Sequence, residues 1–314
     1  MLSRRLIFGT LIIAVLLLLS WLDVIISHYG AKKEILWLPK GMVLLPVYLG
    51  CLILLTREVL RILDAAGLHP FDPTVYLGNI LVAASCWFAN VYQQFKIDIL
   101  GETASKGGWH WAVTSSYCAL FALAVGVIIC FAAEMRRYHH PGGVTINLSG
   151  AVFAIAYLGL LSCFMIQLYM AYGIWAVLSL VVITKLCDIG AFAVGSLVGR
   201  HKMTPLLSPG KTIEGAIGGI LFSCVGAWFW FDIILIRFDN VHRTPVLGWL
   251  AFGIVIAVVG MVGDLGGSLI KRDSKMKDSG HSVPGFGGVL DVFDSLLMAA
   301  PAAYFFWTFR IVCP

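Results

Sequence analysis

The sequence predicts an all-α, polytopic transmembrane helical bundle of about nine spans. Three observations carry that prediction. Of the 314 residues, 60% are hydrophobic and only 12% are charged, about half the charged share of an ordinary soluble domain. The hydrocarbon core of a bilayer needs about 20 apolar residues per helical span, and stretches of that kind recur along the whole chain. Runs such as LIIAVLLLL and VLSLVVIT are continuously apolar, whereas a membrane barrel strand would alternate apolar and polar residues.

The expected spans are 6–27, 41–62, 76–95, 111–133, 148–171, 174–197, 213–236, 246–270 and 288–310. The first follows Arg4 and Arg5. It is longer than a secretory signal core of about 7–15 residues and lacks a small-x-small cleavage site after it, so we read it as a span. Between the second and third, DAAGLHPFDP reads as a turn, because Gly67, Pro70 and Pro73 interrupt helix continuity. Trp109 and Trp111, at the start of the fourth span, have the character of an interfacial aromatic anchor. Polar residues interrupt the third span at Asn79 and Asn90, the sixth at Lys185 and Asp188, and the ninth at Asp291 and Asp294.

If the N-terminus is cytoplasmic, thirteen Lys and Arg residues fall on that side and eight on the other. This is a modest positive-inside bias. The net charge of +5 is spread over membrane-flanking loops and points to anionic headgroups or substrates rather than to nucleic acid. Eight cysteines without a C-x-x-C pair, mostly in apolar runs, imply neither a disulfide framework nor a zinc site.

The chain changes character near residue 170. Residues 1–170 read as N-terminal transmembrane helices with nearly no intramembrane acids. Residues 171–314 carry dense clusters of Asp, Lys, Ser and Gly and read as a C-terminal catalytic region of the same membrane-embedded unit. In the first cluster, 185–219, Lys185 and Asp188 share a helix face. An ionised Asp within a span costs at least about 2.5–3.5 kcal/mol, so either Lys185 pairs with it or a ligand compensates it. The following loop, GRHKMTPLLSPGKT, offers cations, hydroxyls and glycine-exposed amides before a helix that starts at Thr212, a setting suited to phosphate. It is not a Walker A loop, which needs Gly where Pro205 stands. Glu214, in the first helical turn, is equally readable as a dipole-favoured capping acid.

The second cluster is GDLGGSLIKRDSKMKDSG, residues 263–280. Asp264 is followed by Ser268, Lys271 and Arg272 along roughly one helix face, and Lys277 and Asp278 come after them. Positive-inside flanking accounts for the Lys and Arg residues alone, but not for Asp264 or Asp278. The third cluster, PGFGGVLDVFDS at 284–295, runs a Gly-rich turn into a helix carrying Asp291 and Asp294 three apart. Paired carboxylates entering a span repel one another unless a cation or water relieves them. Oxygen ligands of this kind favour Mg2+, Mn2+ or Ca2+ over Zn2+. Jointly, Asp188, Asp264, Asp278, Asp291 and Asp294 beside three basic loops describe a metal–phosphate site at one membrane face.

These blocks resemble the phosphatidate cytidylyltransferase (CDP-diacylglycerol synthase) family. The likeness rests on Ser268, Lys271, Arg272, Lys277 and Asp278 in S-x-x-K-R-x4-K-D, and on Pro284 to Ser295 in P-G-x-G-G-x-x-D-x-x-D-S. Upstream it includes Asp188, Gly195, Gly199, the run Ser208-Pro209-Gly210-Lys211-Thr212-x-Glu214-Gly215, and Gly263-Asp264. It is dense over 184–297. Two positions depart from the usual family pattern, Phe286 in place of a His and Val292 in place of an Arg.

The resemblance implies that CTP and phosphatidate are converted to CDP-diacylglycerol and pyrophosphate. It implies Asp278, Asp291 and Lys271 as catalytic residues. Ser208, Lys211, Thr212, Ser268, Arg272 and Lys277 would bind nucleotide and phosphate. Asp188, Asp264, Asp278, Asp291 and Asp294 would hold Mg2+, with room for a second cation. Membrane lipids would be partners, and a homodimer is left open. A bacterial inner membrane, with the N-terminus and active-site loops cytoplasmic, is the expected location. Two other readings are a CTP-dependent lipid kinase of the polyprenol type and an ion-coupled transporter.

Overall fold

A computed structural model describes residues 18–26, 41–139 apart from 101–107, 141–239, 244–280 and 288–312, with the side chains of 93–114 and 238–239 left aside. Helical rods occupy eight of the nine expected spans. These are α2 (Leu44–Ala65), α3 (Asp72–Leu100), α4 (Gly108–Arg137), a rod of α5 (Val144–Ala154), a π-helical turn (Ile155–Leu160) and α6 (Leu161–Tyr172), then α7 (Ile174–Val198), a rod of α8 (Ile213–Phe229), a second π turn (Trp230–Ile234) and α9 (Leu235–Asp239), and finally α10 (Val246–Asp273) and α11 (Leu290–Thr308). Residues 18–26 form a further helix, α1. The rest of the first expected span, the Trp109 and Trp111 side chains, and 281–287 with Phe286 lie outside the described residues.

Six of the rods are long and apolar enough to cross a membrane: 72–92, 115–137, 144–172, 174–198, 213–237 and 246–273. The count of nine is not reached on that measure among the described residues. Large apolar side chains such as Phe121, Phe192, Leu197 and Leu247 are at least 73% exposed along these rods. That surface would be untenable in water and matches a hydrocarbon environment. The chain is an integral membrane protein.

The structure divides into two units. Unit 1 comprises residues 1–171 and 274–291. Its helix α2 buries Leu52, Leu55, Val59 and Ile62, at a spacing of three to four that defines one face. The helix ends as DAAGLHP requires: Gly67 takes φ +83, its N–H bonds to Asp64 O, and the Leu68 N–H bonds to Leu63 O. This is the paired closure of a glycine-terminated helix. Ile155, opening the first π turn, packs where Gly78 of α3 leaves room for it. Nearby, Asn79 Nδ2 donates to Thr56 Oγ1 at 2.9 Å and Asn90 Nδ2 to the Cys86 carbonyl at 2.7 Å, so the side-chain amide donors of the third span find acceptors inside the bundle, while Asn79 Oδ1 is buried without a donor. Asp23 of α1 is fully buried and accepts from the Gly41 and Val43 N–H groups at 3.0 and 2.9 Å and from the Tyr169 hydroxyl.

Unit 2 comprises residues 172–273 and 292–314. Helices α7 and α8 lie close together because small residues face each other. A methyl at Gly215 would stand 2.8 Å from the Ala191 carbonyl and 3.2 Å from Gly195 Cα, and one at Gly219 would stand 3.0 Å from the Cys187 carbonyl. Small residues at such positions let membrane helices approach without a hydrophobic driving force. On α10, Gly253 meets Cys224 of α8, while Gly263 and Gly267 meet Asp294 and Ser295 of α11. An aromatic cluster fills the opposite end, with Phe231 edge-on to Phe252 at 5.2 Å and Phe252 edge-on to Phe306 at 5.4 Å.

One element departs from the all-α expectation. The loop after α7 folds as a small antiparallel hairpin, β1 (Lys202–Thr204) and β2 (Ser208–Thr212), with Lys202 opposite Thr212 and Thr204 opposite Ser208. Prolines at 205 and 209 and Gly210 make this segment a poor helix. At its tip, Leu206 is 98% exposed.

Candidate active site

The hairpin delivers its residues to the start of α8. Thr212 is the N-cap, its hydroxyl oxygen accepting from the Gly215 N–H at 3.1 Å, as a Thr before a helix is suited to do. The helix therefore begins where the sequence placed it. The same bond engages the Thr212 oxygen, which is buried. Glu214 braces the hairpin from below: its carboxylate accepts from the Arg200 and His201 N–H groups at 3.1 and 3.2 Å and meets His201 Nδ1 at 2.6 Å. These contacts give Glu214 a structural role as a brace of the hairpin, with the N-cap left to Thr212.

Held between these anchors, Lys211 reaches α10 and pairs with Asp264, Nζ to Oδ2 at 2.6 Å. The two side chains are 24% and 41% exposed, but Lys211 Nζ itself is buried, so water reaches the pair from the Asp264 side. Its weight lies in placing charge.

On the facing helix, Asp294 is 2% exposed. Its Oδ1 accepts from the Ser295 N–H at 2.6 Å and from the Ser295 hydroxyl at 2.9 Å. Its Oδ2 lies in the groove left by Gly267, whose added methyl would stand 2.7 Å away. Asp264 and the buried Lys271 lie three residues before and four after Gly267, on the face of α10 that meets Asp294. Lys211, Asp264, Lys271 and Asp294 are thus brought together, although they come from the hairpin, α10 and α11.

Lys185 and Asp188 form the pair allowed for by their spacing, at 3.0 Å. Lys185 Nζ also lies 3.5 Å from the Val292 carbonyl, at a position where the family pattern carries an Arg. Ser268 is half-buried on α10 and Arg272 is exposed at its end. Ser208 sits half-buried in β2.

The remaining predicted residues belong to unit 1. Lys277 and Asp278 are exposed beyond the end of α10. Asp291, in the first turn of α11, accepts from the Gly288 N–H at 3.2 Å. Among the described residues, no group of three or more His, Cys, Asp or Glu side chains lies close enough to share one metal ion.

Sequence reasoning passed over Glu58, having found the first half nearly free of intramembrane acids. It is 1% exposed on α2. Its carboxylate accepts from the Val289 N–H at 3.0 Å, the Leu290 N–H at 2.9 Å and the Ser279 hydroxyl at 3.0 Å. The signal was present as a lone acid in LILLTREVLRIL. With Arg57 and Arg61 beside it, it reads as ordinary membrane-edge charge.

The architecture defines a polytopic helical membrane protein whose acids and lysines meet at helix ends, with a hairpin presenting one of the lysines. The chain belongs to the cytidylyltransferase family, whose family model matches residues 5–310. It is similar to phosphatidate cytidylyltransferases of Haemophilus influenzae, with 36% identity over 141 residues, and of Staphylococcus epidermidis, with 40% over 129. That of Staphylococcus aureus is 34% identical over 152 residues. The matched stretch covers 41–48% of this chain and 47–55% of those relatives, so the chain spans about half the length of the curated relatives it matches.

Proposed function

We propose that the protein transfers CMP from CTP to phosphatidate, giving CDP-diacylglycerol and pyrophosphate. The observation that carries this reading is the junction in unit 2 at which Lys211 pairs with Asp264 and the same helix packs its Gly263 and Gly267 against Asp294, built from motif blocks that resemble this family.

A phosphate monoester has its second pKa near about 6, so the lipid phosphate is an ionised nucleophile at neutral pH. No protein nucleophile is required. The obstacle is repulsion between that phosphate and the triphosphate, which fixed cations relieve. Lys211 and Lys271 are assigned to the phosphates, with Arg272 and Lys277 as further cations. Ser208, Thr212 and Ser268 are the hydroxyl contacts, Thr212 in addition to its cap.

The donor set suits Mg2+. Asp264 and Asp294 would supply two carboxylate ligands, a number that suits Mg2+ when substrate phosphate and water complete its shell. Bound there, Mg2+ would neutralise charge on the α-phosphate and on the departing pyrophosphate. Asp188 is proposed as a further acid, held by Lys185. Asp278 and Asp291 keep the catalytic and metal-binding roles that their motif positions imply. The reading also places the hairpin and the end of α10 on the cytoplasmic face of a bacterial inner membrane, where CTP is available.

Purified protein incubated with labelled CTP, Mg2+ and phosphatidate tests this directly. Release of pyrophosphate and formation of CDP-diacylglycerol are expected, whereas release of CDP would identify a kinase. Asp291→Asn is expected to abolish nucleotidyl transfer in folded protein. Turnover within a few-fold of wild type would make the site assignment wrong.

A further inference from the structure

Glu58 is a carboxylate with almost no exposure, on a helix whose buried face is otherwise apolar apart from Thr56. A buried carboxylate without partners costs several kcal/mol. Here the partners are two backbone N–H groups and a hydroxyl, all drawn from segments more than 220 residues away in the chain. Val289 and Leu290 stand at the start of α11, where N–H groups have no intrahelical acceptor and the helix dipole favours an anion.

Two glycines complete the fit. A methyl at Gly280 would stand 2.8 Å from Glu58 Oε1, and one at Gly288 would stand 2.6 Å from Oε2 while overlapping the Ser279 hydroxyl. The same position at Gly288 is 3.0 Å from the Gly280 N–H. Ser279–Gly280 and Gly288–Leu290 therefore meet at one carboxylate. Their sequence neighbours are Asp278 on one side and Asp291 on the other.

We propose that Glu58 is a positioning residue for these two acids. By binding the residue after Asp278 and the two before Asp291, it sets where both carboxylates stand. Glu58 acts through the backbone and does not itself touch substrate. Its role in turnover rests on the reaction proposed above, while the pinning itself does not.

Two measurements on the full chain in lipid nanodiscs separate these levels: amide hydrogen exchange across 274–291, and steady-state CMP transfer from CTP to phosphatidate. In Glu58→Ala, exchange at Val289 and Leu290 is expected to rise about tenfold to a hundredfold, the loss of a hydrogen bond to a charged group, with α3 and α4 unchanged. The kcat is expected to fall at least about tenfold while KM for CTP stays within about twofold, because the loss concerns geometry at the reacting centre. Glu58→Gln keeps the size and one acceptor oxygen and should fall between wild type and Glu58→Ala in both measurements.

Unchanged exchange at 289–290 in both variants would overturn the pinning. Faster exchange throughout the protein, with kcat per folded molecule unaltered, would reduce Glu58 to a general stabiliser and overturn its positioning role. If wild-type protein transfers no CMP, the proposed reaction falls, together with the role in turnover, and the exchange contrast still decides whether Glu58 pins the segment.

Discussion

At the scale of single residues, the candidate site is organised by charge pairs of unequal environment. Lys211 Nζ is buried while its partner Asp264 keeps contact with water, and in the proposed reaction this pair sets where a cation meets the phosphates. Lys211→Met retains the aliphatic stem and removes the cation. We expect it to lower CTP-dependent turnover by about 100-fold or more, the scale of losing one preorganised charge-stabilising donor. The change in folding stability should stay small, because the Asp264 carboxylate left behind is 41% exposed and is solvated by water. Turnover assays beside thermal melts of the detergent-solubilised protein would separate the two effects. Equal losses in both would mean that Lys211 is structural. Thr212 shows how one residue type carries two readings: a hydroxyl in a phosphate-like loop is also a good N-cap, and its buried oxygen is bonded to Gly215.

At the scale of elements, glycine placement decides which helices touch and thereby which side chains meet. The α7–α8 contact carries the hairpin, and the hairpin carries Lys211. Gly215→Val would drive a branched side chain toward the Ala191 carbonyl and Gly195. Overpacking of this kind typically costs about 1–3 kcal/mol. The expected outcome is a lower melting temperature together with lost turnover, because displacing α8 also displaces Lys211. A variant with wild-type melting and activity would show that the close approach is dispensable. On α10, Gly263 and Gly267 perform a different task. They leave the groove in which Asp294 sits, so the acid is buried beside backbone rather than beside bulk.

At the scale of the whole molecule, the long apolar rods and their exposed Phe, Leu and Ile side chains make the bilayer the solvent of this protein. Sidedness follows from the proposed use of CTP. Leu206, at the hairpin tip and 98% exposed, provides a probe. In Leu206→Cys, a membrane-impermeant maleimide should label the new thiol in inverted inner-membrane vesicles and not in intact spheroplasts. Labelling from the outside would reverse the proposed orientation and remove the hairpin from the nucleotide's compartment.

The sequence by itself determined the membrane-spanning helical class, eight helix positions among the described residues, the start of α8 at Thr212 and the blocks holding the candidate site. These follow from local quantities: apolar run length, capping chemistry and the spacing of residues along one helix. The tertiary structure decided what those quantities cannot encode. Lys211 meets Asp264, and Asp294 lies under Gly263 and Gly267, because glycines set the separation between helices. Glu58 was illegible for the same reason. Between Arg57 and Arg61 it reads as a charge at the membrane edge, and only the approach of Ser279, Val289 and Leu290 to α2 supplies the donors that make a buried carboxylate tolerable.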